Sequence, residues 1–304
     1  MRTILLTGAF PYTPEHIKQI ESLGLKTIFM QDESEELPVG ASGVEMAVCN
    51  GLFLNHSIDS FTDLKCIQLT SAGLDRVPLD EIKKRGIRLY NARGVYSIPM
   101  AEWAVLRTLE FYKAAREFSE KQKTHNWEKR RDLQEINGKT VGIIGAGNVG
   151  NEVAKRFQAF GATCIGYDVF LSDSPYFKKI VSIEKFTEKV ENLDIIVLTA
   201  PHTPETHHMI NGPILKRLKP GAVLINIARG GLVNELELIN TLRERNDIYV
   251  SLDVFEVEPI VSENPLWDFD NVTVSPHNSF VSTQNNVRMF NLIINNIKDY
   301  LTIQ

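Results

Sequence analysis

Between Thr140 and Gly150 the chain reads T-V-G-I-I-G-A-G-N-V-G, and few folds accept such a run. Val141, Ile143 and Ile144 are an apolar, β-branched stretch of the kind that fills a buried strand of a parallel sheet. Gly145, Gly147 and Gly150 follow at G-x-G-x-x-G spacing. Val149, Val153, Phe157 and Phe160 then recur every three or four residues, which is a helical pattern. The glycines therefore sit where a strand turns into a helix. Gly145 permits the tight turn, Gly147 lets a pyrophosphate approach the backbone, and Gly150 lets the helix pack close on the strand. The helix N-terminus offers N–H groups and a partial positive charge to phosphates. A second strand, predicted over Thr163–Tyr167, ends at Asp168, 18 residues past Gly150 and close to the expected spacing of about 20. A carboxylate there accepts from both ribose hydroxyls of NAD and repels the extra phosphate of NADP, and no Arg directly follows it. The plainer alternative is a structural glycine turn with a surface Asp.

A long stretch precedes this fingerprint, and 304 residues are enough for two domains. Hydrophobic residues at 43% and charged residues at 23% are ordinary for a soluble globular protein. A net charge of −5 does not suggest a nucleic-acid surface. No apolar run reaches the roughly 18 residues that cross a bilayer. The apolar part of the N-terminus is too short for a signal peptide and reads as a first strand. Cys49, Cys66 and Cys164 lie far apart in apolar segments, with neither disulfide nor zinc spacing, as reduced core residues of a cytoplasmic protein do.

Strands are predicted at Thr3–Thr7, Thr27–Met30, Met46–Cys49, Cys66–Thr70 and Ile87–Tyr90, with helical stretches such as Pro14–Leu23 between them. Gln31–Gly43 reads as an acidic loop. After Asp168 the alternation resumes, with strands at Asp194–Leu198, Val223–Ile227, Tyr249–Leu252 and Val272–Val274. Strands alternating with helices indicate parallel sheets covered on both faces. The expected fold class is α/β: two doubly wound parallel-sheet domains. Residues 99–278 are expected to form a Rossmann NAD-binding domain, and residues 1–98 plus 279–304 a smaller flavodoxin-like substrate domain. A helix beginning near Pro99 and running to about Phe118 is expected to cross from the first domain into the second. Its apolar surplus fits domain packing, a dimer interface or an ordinary dense core. A C-terminal helix over about Thr283–Leu301 is expected to return and cover the first domain.

Polar residues gather at the carboxyl ends of the strands, where doubly wound folds bind ligands. Ser71, Ala72 and Gly73 follow one strand end, and their backbone suits either an anion nest or an ordinary turn. Arg229, Glu258 and His277 follow three other strands on one sheet edge. Each alone is weak: a surface charge, a loop residue, a turn. Together, beside a nicotinamide site, they match the needs of hydride transfer to a 2-keto acid. Negative charge builds on the carbonyl oxygen, and an imidazolium can protonate it near neutral pH, a role suited to His277. A neighbouring carboxylate, Glu258, favours the charged imidazole. A guanidinium, Arg229, can hold the substrate carboxylate bidentately.

These segments resemble the D-isomer-specific 2-hydroxyacid dehydrogenase family along nearly the whole chain. The matching motifs are the G-x-G-x-x-G with Asp168, Pro-His-Thr-Pro-Glu-Thr at 201–206, Leu-Lys-Pro-Gly-Ala-Val-Leu-Ile-Asn-Ile-Ala-Arg-Gly at 218–230, Leu-Asp-Val-Phe-Glu-Val-Glu-Pro at 252–259 and Ser-Pro-His at 275–277. Ser71–Asp75 and Gly94–Glu102 also fit. The resemblance implies NAD-dependent interconversion of a D-2-hydroxy acid and its 2-keto acid, with Arg229, Glu258 and His277 in the roles above. It implies cofactor contacts at Asn148, Val149, Thr199, Pro201, Ala228 and Asp253, the last placing the nicotinamide amide. It implies that Ser71, Ala72 and Gly73 hold the substrate carboxylate, and that the protein is a homodimer with its site between two domains. No metal, nucleic-acid or membrane partner is expected.

Two departures from the family pattern stand out. Asn278-Ser279-Phe280 follows the catalytic Pro-His, with Phe280 where a Gly is common, which bears on pocket size. His202 replaces an apolar residue, in contact with the cofactor or facing solvent. His207 and His208 have no acidic or Cys partner at ligand spacing. Arg76 and Arg93 are candidate phosphate ligands or solvated charges. The alternative function is a dinucleotide-sensing binding module of the same fold without significant turnover, as in the C-terminal-binding corepressors. A formate dehydrogenase, which pairs its His with Gln, is disfavoured by Glu258.

Overall fold

Ile4 and Leu6 of strand β1 (Arg2–Thr7) join one hydrophobic cluster and Leu5 joins another, and all three are fully buried. That alternation gives a sheet covered on both faces, each buried Leu or Ile stabilising it by about 1.5–3 kcal/mol. The structure, a computed structural model, describes residues 2–302. Met1, Ile303 and Gln304, at the outer ends of the expected substrate domain, lie outside the described residues. The chain divides into two units, Met1–Tyr96 with Ser282–Gln304, and Ser97–Val281.

In the first unit, β1 is joined by β2 (Leu25–Met30), β3 (Met46–Cys49), β4 (Cys66–Leu69) and β5 (Arg88–Tyr90). All pairings are parallel, in the order β2-β1-β3-β4-β5. Helix α1 (Pro14–Glu21) opens with a capping box in which Thr13 and His16 bond each other's backbone. Two further helices, α2 (Leu52–Asn55) and α3 (Leu79–Lys84), connect later strands. One face of the sheet is covered by the C-terminal helix Asn285–Thr302, whose Phe290, Ile293, Ile294 and Ile297 pack with Ile4, Leu6 and Met46. The helix spacing explains this cover: these positions recur at three and four residues and form one apolar stripe.

The second unit opens with α4 (Ser97–Tyr112) and α5 (Ala115–Lys123). The single helix expected up to Phe118 is thus broken at Ala114, which takes the left-handed region at φ 49°. No Gly or Pro marks the spot. The backbone N–H of Gln134 donates to Tyr112 O at 3.0 Å, capping the first helix. Beyond it the residues lose their apolar stripe, and α5 has no buried residue. Ala101, Ala104 and Val105 of α4 pack into the core, so the helix's apolar surplus is mainly ordinary core, although Leu106 remains 46% exposed.

Seven parallel strands follow: β6 (Thr140–Ile144), β7 (Thr163–Asp168), β8 (Lys179–Ser182), β9 (Ile195–Leu198), β10 (Val223–Asn226), β11 (Tyr249–Leu252) and β12 (Val272–Val274), in the order β12-β11-β10-β9-β6-β7-β8. Strand β8 is additional to the sequence expectation. It is a short edge strand beginning with Lys179 and pairs only with β7. Helices α6 (Asn148–Ala159), α7 (Phe186–Lys189), α8 (Gly212–Lys216) and α9 (Glu235–Glu244) connect the strands. Val141 and Ile143 face α4 and α6, while Ile144, Ile196 and Leu224 face the opposite core. Both units are therefore doubly wound parallel sheets.

Candidate active site

The glycine loop between β6 and α6 is built to fit. Gly145 has φ 95°, and a Cβ added there would stand 2.7 Å from the Ala200 amide nitrogen. A Cβ on Gly150 would stand 2.1 Å from Gly145 O. Side chains at these two positions would push the turn open. At Gly147 nothing lies within 4 Å of an added Cβ, so space is left beside the backbone. Gly147 caps α6 without a side chain, and Asn148, Val149 and Gly150 make up the first turn of that helix. This arrangement fits a pyrophosphate.

Asp168 ends β7. Its Oδ2 accepts from Ala146 N at 2.6 Å and its Oδ1 from Phe170 N at 2.9 Å. The carboxylate therefore ties the glycine loop to the β7 end, and each oxygen keeps a second lone pair for a ribose hydroxyl. Thr199, just past β9, donates its hydroxyl to Gly145 O at 2.6 Å and to Ile144 O at 3.0 Å. Pro201 continues the same loop.

Past β10, the buried side chain of Asn226 accepts from Ala228 N at 3.1 Å and donates to Arg229 O at 2.9 Å. It thereby shapes the loop carrying Ala228 and Arg229, whose Nη1 donates to Ala228 O at 2.7 Å. A Cβ on Gly230 would stand 1.9 Å from the carbonyl carbon of Phe255, so the β10 and β11 loops touch with no side chain between them.

Asp253, past β11, is 1% exposed. Its carboxylate accepts from Ser275 Oγ at 2.6 Å and from Asn278 N and Ser279 N, each at 2.8 Å. Its carbonyl accepts from His277 N at 2.8 Å. A buried carboxylate with this many donors is satisfied in place, and it fixes the loop that holds His277. That loop is strained, because His277 is left-handed at φ 49°. Such strain costs on the order of 1–3 kcal/mol and is found at functional sites.

His277 Nδ1 lies 2.9 Å from Glu258 Oε2. Glu258 Oε1 accepts from Phe255 N at 3.0 Å, which orients the carboxylate. The imidazole thus has Nδ1 engaged and Nε2 directed elsewhere. The side chains of His277 and Glu258 are 42% and 36% exposed, accessible enough to meet a solute. This is a base, an orienting acid and a fixed loop, the arrangement that general acid–base catalysis needs.

His202 is exposed, and its Nε2 lies 3.0 Å from His207 Nδ1. Its ring also lies against Gly231, where an added Cβ would be 2.7 Å away. His207 stacks on His208 with ring centroids 3.8 Å apart. His208 Nε2 is 3.1 Å from Glu256 Oε1, at an angle outside a hydrogen bond. His208 thus has an acidic neighbour that sequence spacing hides. Among the described residues, no group of three His, Cys, Asp or Glu side chains is arranged to hold a metal ion.

In the first unit, Ser71, Ala72 and Gly73 follow β4. Thr70 O accepts from Tyr96 Oη, Ser71 O from Ala92 N, Ala72 O from Asn91 Nδ2 and Gly73 O from Ser71 Oγ. Every carbonyl from Thr70 to Gly73 is engaged, so what the turn has left to offer is N–H groups, as an anion nest requires. Asn91 and Tyr96 are supporting residues outside the sequence expectation. Asn226 is another, and an Asn inside an apolar strand is the signal that marks it.

Residues 105–279 match the family described as D-isomer specific 2-hydroxyacid dehydrogenase, NAD binding domain. The chain is 32% identical over 287 residues to a D-3-phosphoglycerate dehydrogenase of Methanocaldococcus jannaschii, covering 91% of this chain and 53% of that protein. It is 32% identical over 248 residues to a glyoxylate reductase of Thermofilum pendens, covering 79% of this chain and 73% of that one. Of the phosphoglycerate dehydrogenases it matches, the chain spans about half the length or less. The fold superposes on D-lactate dehydrogenase from Aquifex aeolicus, solved with NAD and lactic acid, with a TM-score of 0.80 and 26% identity over 98% of this chain and 95% of that one. No described helix is long and apolar enough to cross a membrane.

Proposed function

The chain belongs to the D-isomer-specific 2-hydroxyacid dehydrogenase family, and on that premise we propose that it interconverts a D-2-hydroxy acid and its 2-keto acid with NAD. The observation that carries this reading is the His277–Glu258 pair at 2.9 Å, held at the carboxyl edge of the same sheet that carries the glycine cradle. Bound NAD supplies the hydride to C2 of the keto acid, or accepts it from the hydroxy acid.

The residues of the chain do the rest. His277 gives a proton from Nε2 to the carbonyl oxygen as negative charge builds there, and takes it back in the oxidative direction. Glu258 holds Nδ1 and stabilises the charged imidazole. Arg229 binds the substrate carboxylate through two N–H groups. Asp253 acts through the loop, holding His277 where it can reach the oxygen, and also lies at the strand end assigned to the nicotinamide amide. The Gly145–Gly150 turn and the first turn of α6 receive the pyrophosphate, Asp168 the ribose hydroxyls, and Thr199, Pro201 and Ala228 line the same edge. The N–H groups of the Ser71–Gly73 turn offer a carboxylate site.

The protein works as a homodimer in the cytoplasm on this reading. Trp127 is 96% exposed and borders a groove of about 620 Å³ with Phe118, which favours a protein partner at that surface.

The test is NADH oxidation, followed by absorbance, against glyoxylate, pyruvate, hydroxypyruvate, phosphohydroxypyruvate, 2-ketoisocaproate and phenylpyruvate, with chiral analysis of the product. Turnover with a D-configured product is expected. Tight NADH binding with no turnover of any acid would overturn the reading in favour of a dinucleotide-binding module.

A further inference from the structure

The segment after His277 folds back on itself. His277 is left-handed, and Val281 N donates to Asn278 O at 3.1 Å, closing a turn over the next residues. Asp253 pins the N–H groups of Asn278 and Ser279 from below, and Ser279 is 2% exposed. With the backbone anchored on that side, the side chain of Phe280 is carried round toward His277. The two rings meet with centroids 5.8 Å apart and planes at 88°, a favoured edge-to-face geometry.

The imidazole therefore has two defined neighbours. Nδ1 faces Glu258, the phenyl ring of Phe280 stands across it, and Nε2 is the polar edge left for a reactant. A molecule that takes a proton from Nε2 approaches an imidazole that already has the Phe280 ring 5.8 Å away, centroid to centroid.

We propose that Phe280 is a specificity-determining residue, an apolar wall beside His277 that admits keto acids with a short, uncharged substituent at C2 and excludes branched, aromatic or anionic ones. This rests on the function proposed above. The wall acts by size, because a phenyl ring fills the space a branched substituent needs. It also acts by polarity, because an anionic substituent would lose water against a surface that returns no hydrogen bond. The carboxylate common to all these acids is assigned to Arg229, as above.

The experiment compares kcat/KM across the same six keto acids for wild type, Phe280→Ala and Phe280→Leu, with NADH affinity measured for each protein. Wild type is expected to prefer glyoxylate, pyruvate or hydroxypyruvate over the three larger or charged acids. Phe280→Ala should raise the ratio of 2-ketoisocaproate or phenylpyruvate to glyoxylate by about tenfold or more, the scale of apolar pocket discrimination, chiefly through KM. Phe280→Leu, which keeps an apolar wall, should stay near the wild-type ranking and serves if Phe280→Ala binds NADH poorly. Wild-type turnover that favours bulky or phosphorylated acids, or a ratio that Phe280→Ala leaves unmoved, overturns this inference alone. Absence of turnover by wild type overturns the proposed function and this inference with it.

Discussion

The carboxyl edges of the two sheets share an architecture and use their polar groups differently. In the five-stranded unit the central acid is Glu33, which follows β2. Its Oε1 accepts from Thr7 Oγ1 at 2.6 Å and Asn50 N at 2.7 Å, and its Oε2 from Gly51 N at 2.5 Å. Glu33 thus ties together the ends of β1, β2 and β3, beside a cavity of about 430 Å³ that also meets Gly8, Asp32 and Asn55. Its carboxylate is consumed by structure, and the nearby Ser71–Gly73 turn contributes backbone. In the seven-stranded unit the same structural duty falls to Asp253, and a second acid, Glu258, is kept partly exposed with one oxygen on an imidazole. The number of donors on a carboxylate separates the two uses. Three or more fixed donors make a brace. One fixed donor and one titratable partner make a group that handles protons.

The largest expected effect falls on the proton-handling pair. His277→Gln should lower turnover by about 10²–10⁴-fold while NADH affinity stays near wild type, as read by fluorescence titration. Ser71→Ala removes only a neutral hydrogen bond, worth about 0.5–1.5 kcal/mol, and should cost no more than about tenfold. Equal losses in the two variants would break the comparison, because the five-stranded edge would then carry chemistry too.

Next in size is Asp168→Ala. It removes the acceptor assigned to the ribose and the brace on Ala146 N. Charge-assisted hydrogen bonds contribute about 1.5–3 kcal/mol each, so NAD affinity should fall by at least about tenfold and the preference over NADP should shrink. An unchanged NAD to NADP ratio, measured by calorimetry, would remove Asp168 from cofactor selection.

Asp253→Asn and Glu33→Gln sharpen the contrast. In each variant an amide replaces a carboxylate surrounded by donors, at a cost of about 1–3 kcal/mol visible in urea unfolding. Asp253→Asn should also depress turnover because the His277 loop depends on it. Glu33→Gln should lower stability with turnover of the folded protein retained. Loss of stability without loss of turnover in Asp253→Asn would show that the loop holds His277 by other means.

The glycine cradle and the alternation of strands are legible in the sequence because both are local. Gly145, Gly147 and Gly150 sit at a strand–helix junction whose apolar periods change from one side to the other, and Asp168 follows at a fixed distance. Arg229, Glu258 and His277 are legible as strand-end residues, because parallel strands place their ends on one edge. What is not legible is the bracing. Asp253 sits in a visible motif, yet its bonds to Ser275, Asn278 and Ser279 depend on β11 and β12 being neighbours. Glu33 lies in an acidic run that reads as solvent-facing, and only the sheet order brings it to Thr7 and Asn50. The break at Ala114 has no local signal, and the Tyr112 carbonyl just before it accepts from Gln134 N, far along the chain. The edge strand Lys179–Ser182 is short and polar at its start, so pattern alone leaves it as loop.

The smallest expected effect falls on Glu235, an acid of the seven-stranded unit whose charged form burial disfavours. Glu235 opens α9 and exchanges backbone hydrogen bonds with Glu256, Glu235 N reaching Glu256 Oε1 at 2.9 Å and Glu256 N reaching Glu235 Oε1. Burial, followed by the Glu256 and Glu258 carboxylates, lifts the Glu235 carboxyl above the usual glutamate range. A group held more tightly protonated in the folded state stabilises below its unfolded value, about 4.3 for Glu. That contribution disappears as pH rises through the raised folded value. At neutral pH the charged Glu235 is therefore a net burden on the fold. Glu235→Gln keeps the carbonyl acceptor for Glu256 N and removes the charge. Its urea midpoint should exceed that of wild type at pH 7, and the two should converge as pH falls below the glutamate range. A deficit at pH 7 equal to that in acid would show that burial does not penalise the charged form of Glu235.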